Sequence, residues 1–142
     1  MKKQLALFDE RFLETFAGKA IFTNPIVAII ELIANSWDAG ATKVEISWPI
    51  ENGNKFQISD NGHGMTENQF NIRYRKLAYD RISEQGRYAE IPENHKSLIA
   101  KRPTFGRNGK GRLAGFAFGD NYFIKTWRDK TEIEYKVFKR QL

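Results

Sequence analysis

One helix constrains this chain more than any other feature. The run Thr23, Asn24, Pro25 has the form of a helix start, with a capping side chain followed by proline in the first turn. The pattern then runs to about Ala39, where Gly40 is a natural stop. Between them Ile26, Val27, Ala28, Ile29, Ile30, Leu32, Ile33 and Ala34 are apolar almost all round, which predicts a buried helix. Yet Glu31, Asn35 and Asp38 fall at i, i+4 and i+7, on one line. Burying that line unpaired costs on the order of several kcal/mol, so something polar must meet it. That partner is either a structural network within the chain or a ligand.

The remaining pattern predicts α/β (α+β) architecture. Residues 43–48 alternate with Val44, Ile46 and Trp48 on one face, and 55–59 place Phe56 and Ile58 inward, so the two read as a hairpin across the turn at 51–54. Thr66 and Gln69 form a capping box that predicts a helix over 67–78. Residues 110–118 read as helical, and 122–127 and 131–139 as strands joined at Arg128, Asp129 and Lys130. Phe8, Phe12, Leu13 and Phe16 give 1–20 the pattern of a helical arm. The stretch 79–105 is polar and basic with Pro92 and Pro103, and reads as a long mobile loop. The expected whole is a two-layer sandwich, a mixed sheet covered by helices on one face, forming one domain over 1–142.

Length and composition agree. The chain has 142 residues, 41% of them hydrophobic and 13% aromatic, enough for one real core. Without cysteine there is no disulfide framework and no thiolate metal site. The basic N-terminus lacks the apolar run of a signal peptide, and the apolar run 26–30 is too short to span a bilayer. The expected place is therefore the cytoplasm, or the nucleoid or nucleus, with no membrane partner. The net charge is +6, and its location is informative. Residues 73–112 carry eleven Lys and Arg against four acids, whereas the rest carries twelve bases against thirteen acids. This basic segment suits an anionic partner, a triphosphate or a nucleic-acid backbone, or is a solvated surface.

Two further motifs follow the helix. Asp60, ending a strand, is followed by Asn61, Gly62, His63, Gly64 and Met65. A carboxylate there can accept a hydrogen bond from an exocyclic amine such as that of adenine, and the glycines permit positive φ and close approach of a flat ring. The bland alternative is a strand-to-helix turn with Asp as turn former. Gly106, Arg107, Asn108, Gly109, Lys110 and Gly111 then precede an apolar helix. Such glycines let backbone amides curl around an anion, with Arg107, Lys110 and Arg112 adding positive charge; the alternative is a flexible hinge. The spacing is neither a Walker A loop nor a dinucleotide fingerprint. On the ligand reading of the first motif, Glu31 is a general base toward water, Asn35 offers its carbonyl oxygen to Mg²⁺, and Asp38 holds a water or orients a neighbour.

Together the three motifs resemble the GHKL superfamily, which includes DNA gyrase B, the large heat-shock chaperones, MutL mismatch-repair proteins and sensor histidine kinases. Glu31, Asn35 and Asp38 match its first motif, Asp60, Gly62 and Gly64 its second, and Gly106, Gly109 and Gly111 its third. The run 35–42 is most similar to the MutL and MORC branches. The resemblance implies a Bergerat-type fold with ATP and Mg²⁺ held between helices and sheet. It implies that 80–105 is a lid over the nucleotide, and that ATP drives lid closure and homodimerisation with slow hydrolysis. Glu31 sets the chain apart from the histidine kinases and favours hydrolysis. The family's further Ser- or Thr-bearing strand has no clear counterpart before Leu142, so the sheet is expected to be incomplete, and binding is expected ahead of turnover. Two rivals are a nucleic-acid-binding module, with Tyr74, Tyr79 and Tyr88 interleaved among the basic residues of 73–112, and a nucleotide-binding scaffold without turnover.

Overall fold

The computed structural model describes residues 3–9, 15, 17–50, 53, 55–76, 80–106 and 109–140. Its elements are β1 (Lys3–Asp9), α1 (Lys19–Thr23), α2 (Pro25–Asp38), β2 (Val44–Ser47), β3 (Gln57–Asp60) and α3 (Glu67–Gln69), which continues as a π-helix (Phe70–Tyr74). Then come α4 (Arg81–Gln85), 3-10 helices at Glu93–His95 and Gly111–Ala117, and the strands β4 (Asn121–Arg128) and β5 (Thr131–Arg140). The class is α+β. No helix among the described residues is long and apolar enough to cross a membrane.

Helix α2 begins as its sequence requires. The Asn24 side chain accepts from the Ile26 amide at 3.0 Å with Pro25 in the first turn. At the other end Gly40 has φ 68°, and a Cβ there would lie 2.5 Å from the Glu90 carbonyl oxygen. The helix is less buried than its composition suggests. Ala28, Ala34, Ser36 and Asp38 are buried, but Ile26 is 69% exposed and Ile30, Ile33 and Trp37 on the same stripe are also exposed. The inward face meets the 3-10 helix Gly111–Ala117, where Leu113 and Ala114 join Ala28, Ile21, Phe116 and Val137 in the main core.

The strands form two units. β2 and β3 pair antiparallel, Val44 opposite Asp60 and Ser47 opposite Gln57. Phe56 beside this hairpin stacks on Phe118 at 4.0 Å. The other sheet has the order β1-β5-β4. β4 and β5 are antiparallel, joined by Asp129 and Lys130, both at positive φ as a two-residue hairpin turn demands. β1 lies parallel to β5, Lys3 opposite Glu134, so this sheet is mixed. That pairing departs from the helical arm expected over 1–20: Phe8 belongs to a strand, because the β5 edge offers ladder hydrogen bonds that outweigh a short amphipathic pattern. Phe12, Leu13 and Phe16 of that pattern lie outside the described residues.

The capping box is present: Thr66 Oγ1 accepts from Gln69 N, and Thr66 N donates to Gln69 Oε1. The helix it starts is shorter and wider than the 67–78 expected. Phe70 stacks on Tyr74 at 4.7 Å and on Tyr135 at 3.4 Å, the Arg75 amide reaches the Phe70 carbonyl, and the Arg112 guanidinium takes the closing carbonyls of Arg73, Tyr74 and Lys76. Residues 77–79 lie outside the described residues.

Candidate functional site

The polar line on α2 meets polar partners along part of its length only. Asp38 is 4% exposed, and its carboxylate accepts from Phe105 N at 2.7 Å and Gly106 N at 2.9 Å. The Arg81 guanidinium stands 3.7 Å from the same carboxylate and donates to the Asp38 carbonyl. One turn back the Asn35 side chain is exposed, without a hydrogen-bond partner among the described residues. The half-buried Glu31 carboxylate likewise has none, and it lies against Gly111, where a Cβ would overlap Oε2. The first and third motifs therefore touch twice, Asp38 at Gly106 and Glu31 at Gly111, with Asn35 between.

The second motif joins through Ser36, whose hydroxyl donates to Asp60 Oδ2 at 2.9 Å, while Gly62 N donates to Oδ1 at 2.8 Å. Asp60 remains exposed, and a carboxylate offers about four lone-pair directions, so acceptor capacity is left over. The two glycines have different reasons. Gly64 has φ 64°, and a Cβ there would overlap the Trp127 carbonyl oxygen. Gly62 has no positive φ; it is needed because a Cβ would lie 2.6 Å from Ala39. Met65 N donates to Thr126 Oγ1 at 2.8 Å, and Met65 packs on the cluster of Phe70, Ile133 and Tyr135. Asn61 pins the loop to the chain entering β2, its Oδ1 accepting from Thr42 N and Lys43 N. His63 donates its backbone amide to Ala39 O, and burial pushes its imidazole pKa down.

In the third motif Gly109 takes φ 64°, Lys110 is exposed, and Gly111 opens the 3-10 helix. Arg107 and Asn108 lie outside the described residues. Arg112 differs from the expectation that it adds charge for an anion. It is buried, and donates to Gly109 O and to the carbonyls of Arg73, Tyr74 and Lys76. Its charge is spent on helix-end dipoles.

The segment 80–106 is also unlike a free loop. Ala89 N donates to Arg102 O and Thr104 N to Arg87 O, around the bridge between Tyr88 and Pro103. Arg102 donates to Ala41 O and Trp37 O and lies 4.2 Å over the Trp37 ring, which in turn donates to Pro103 O. The buried His95 ring meets Gly40 O at 3.0 Å. The segment thus wraps the C-terminal end of α2. Glu90 reaches the β4–β5 turn, where the Arg128 guanidinium donates to its carboxylate and holds its pKa below the usual range. Tyr74 hydrogen-bonds Tyr122 and the Arg112 carbonyl, is held by burial well above the usual phenol pKa, and stacks its ring on Phe70. Tyr88 is exposed beneath Lys101, and Tyr79 lies outside the described residues.

Sequence reading missed Ser36, Asn61, Arg81 and Thr126. Ser36 and Asn61 carried a signal, since each sits inside a motif beside a residue already singled out. Arg81 and Thr126 carried none.

The model of the histidine kinase-, DNA gyrase B-, and HSP90-like ATPase family matches residues 23–141, and the chain belongs to that family. It is 32% identical over 78 residues to the DNA mismatch repair protein MutL of Colwellia psychrerythraea, covering 55% of this chain and 12% of that protein. It is 31% identical over 112 residues to the putative type II restriction enzyme HgiDII of Herpetosiphon aurantiacus, covering 79% of this chain and 16% of that protein. The MutL of Halothermothrix orenii is 36% identical over 70 residues, 48% of this chain and 10% of that protein. The chain thus spans between a tenth and a sixth of the length of these relatives. No solved structure matches it.

Proposed function

We propose that this member of the gyrase B- and HSP90-like ATPase family binds ATP with Mg²⁺ and hydrolyses it slowly. The observation that carries the reading is the convergence of three motifs on one helix: Glu31 against Gly111, Asn35 open between, and Ser36 holding Asp60. Asp60, with acceptor capacity left, would take the exocyclic amine of adenine, and Gly62, Gly64 and Met65 would line the base. Gly106, Arg107, Asn108, Gly109, Lys110 and Gly111 would face the phosphates. Among the described residues no three His, Cys, Asp or Glu gather as a metal cage. That donor set fits Mg²⁺ held chiefly by phosphate and water, with the open Asn35 amide oxygen as the protein ligand. The ion would neutralise charge developing on the phosphates. Glu31, unpaired and beside Gly111, would accept the proton of the attacking water.

Calorimetric titration of ATP with and without Mg²⁺ tests binding; saturable, Mg²⁺-dependent heat is expected, and none from a folded chain rejects the reading. Glu31→Ala should keep ATP affinity within a few-fold and lose turnover by about a hundredfold or more; loss of binding instead would remove the base assignment. Asp60→Asn should abolish adenine recognition. Nucleotide-driven closure of 80–105 and homodimerisation belong to the same proposal, with light scattering with and without ATP as their test. Binding of nucleic acid through 73–112 is the second reading. Its support is that the MutL relatives are DNA mismatch repair proteins. Its weakness is that Arg112 and Tyr74 are committed internally.

A further inference from the structure

Asp38 shares the line of Glu31 and Asn35, and by position alone it would join them as a ligand contact. Its carboxylate is already engaged. Each oxygen accepts one peptide N–H, Phe105 on Oδ1 and Gly106 on Oδ2, and Arg81 supplies the counter-charge. The residue is buried, 4% exposed, with Gly106 packed close enough that a Cβ there would lie 2.9 Å from Oδ2.

The three partners come from both ends of one segment. Arg81 stands where the chain enters 81–106, and Phe105 and Gly106 where it leaves into the glycine loop. We infer that Asp38 is a positioning residue: one carboxylate clasps both ends of the segment and sets where the glycine loop begins, without touching nucleotide or metal. The claim about the clasp rests on geometry alone, and the claim about its purpose rests on the nucleotide-binding reading above. Peptide N–H groups on a buried anion make strong, short hydrogen bonds, and a carboxylate with its two oxygens can hold two adjacent amides at once.

Asp38→Asn tests this, because it keeps the size of the side chain but leaves only one acceptor oxygen; its NH₂ would face an N–H. In the ligand-free chain, hydrogen exchange at the Phe105 and Gly106 amides should quicken at least tenfold. Exchange at Met65 and along β4 and β5 should stay unchanged. ATP should bind at least tenfold more weakly, while adenosine, which lacks phosphates, should lose less than twofold. Weaker ATP binding with unaltered exchange at Phe105 and Gly106 would make Asp38 a direct ligand and overturn the inference, as would faster exchange with unaltered ATP affinity. If Asp38→Asn fails to fold, Arg81→Gln decides: it leaves both amide bonds but removes the counter-charge. It should quicken exchange at the same two amides by two- to fivefold, and no change would refute the clasp. A wild-type chain that binds no ATP would sink the nucleotide reading, while the exchange arm would still judge the clasp.

Discussion

The two ends of the polar line on α2 behave oppositely. Asp38 is buried and its carboxylate oxygens are engaged by the chain; Asn35 and Glu31, one and two turns earlier, have side chains unpaired among the described residues. The residues share spacing and polarity, yet one end builds the fold and the other faces outward with capacity to spare. A polar residue in a motif is thus a candidate ligand only when its remaining hydrogen-bonding capacity is open to solvent: Asp60 accepts two bonds as Asp38 does, but it is exposed where Asp38 is buried. Arg112 belongs with Asp38, since its cation is consumed by backbone carbonyls. Lys110, two residues before it, is exposed.

If that division is right, perturbing the spent residues costs stability and perturbing the unspent ones costs chemistry. The largest stability effect should come from Arg112→Met, which leaves several carbonyls without their donor. A loss on the order of 3 kcal/mol is expected in denaturant unfolding; a loss below about 0.5 kcal/mol would place Arg112 among the free charges and break the comparison. Gly111→Ala sharpens it from the other side. The added methyl would displace the Glu31 carboxylate, the end of a flexible side chain. Stability should fall by less than about 1 kcal/mol, while ATP turnover drops at least tenfold. Equal losses in both would mean that Glu31 is structural.

The smallest effect concerns acid stability at the edge of the site. Arg128 holds the Glu90 pKa below its ordinary 4.5, so the stabilisation from this pair is present above that pH and is lost as pH falls through the folded value. Burial lowers the His63 pKa below 6.5, so on acidification below 6.5 the unfolded chain takes up a proton that the folded one resists. Both terms make the fold weaker in acid. Stability measured against pH should decline below 6.5 and again below 4.5. His63→Gln should flatten the first decline. Glu90→Gln should flatten the second by less than about 1 kcal/mol, because that pair is partly exposed.

Much of this was legible in the sequence because its causes are local. The Asn24 cap, Pro25 and Gly40 bound α2; Thr66 and Gln69 start the next helix; alternation marks β2. Each depends on residues a few positions apart, and the physics of caps, turns and alternation acts at that range. The three motifs likewise announced themselves by spacing. Their allotment of roles did not. Asp38 meets Gly106 across 68 residues and Met65 meets Thr126 across 61. β1 joins β5 from the far end of the chain, and the wide turn at Phe70–Tyr74 answers to Tyr135 and Arg112. Which side chains could do chemistry was written in the order of residues. Which of them had already been used depended on hydrogen-bond partners that folding brings together from distant parts of the chain.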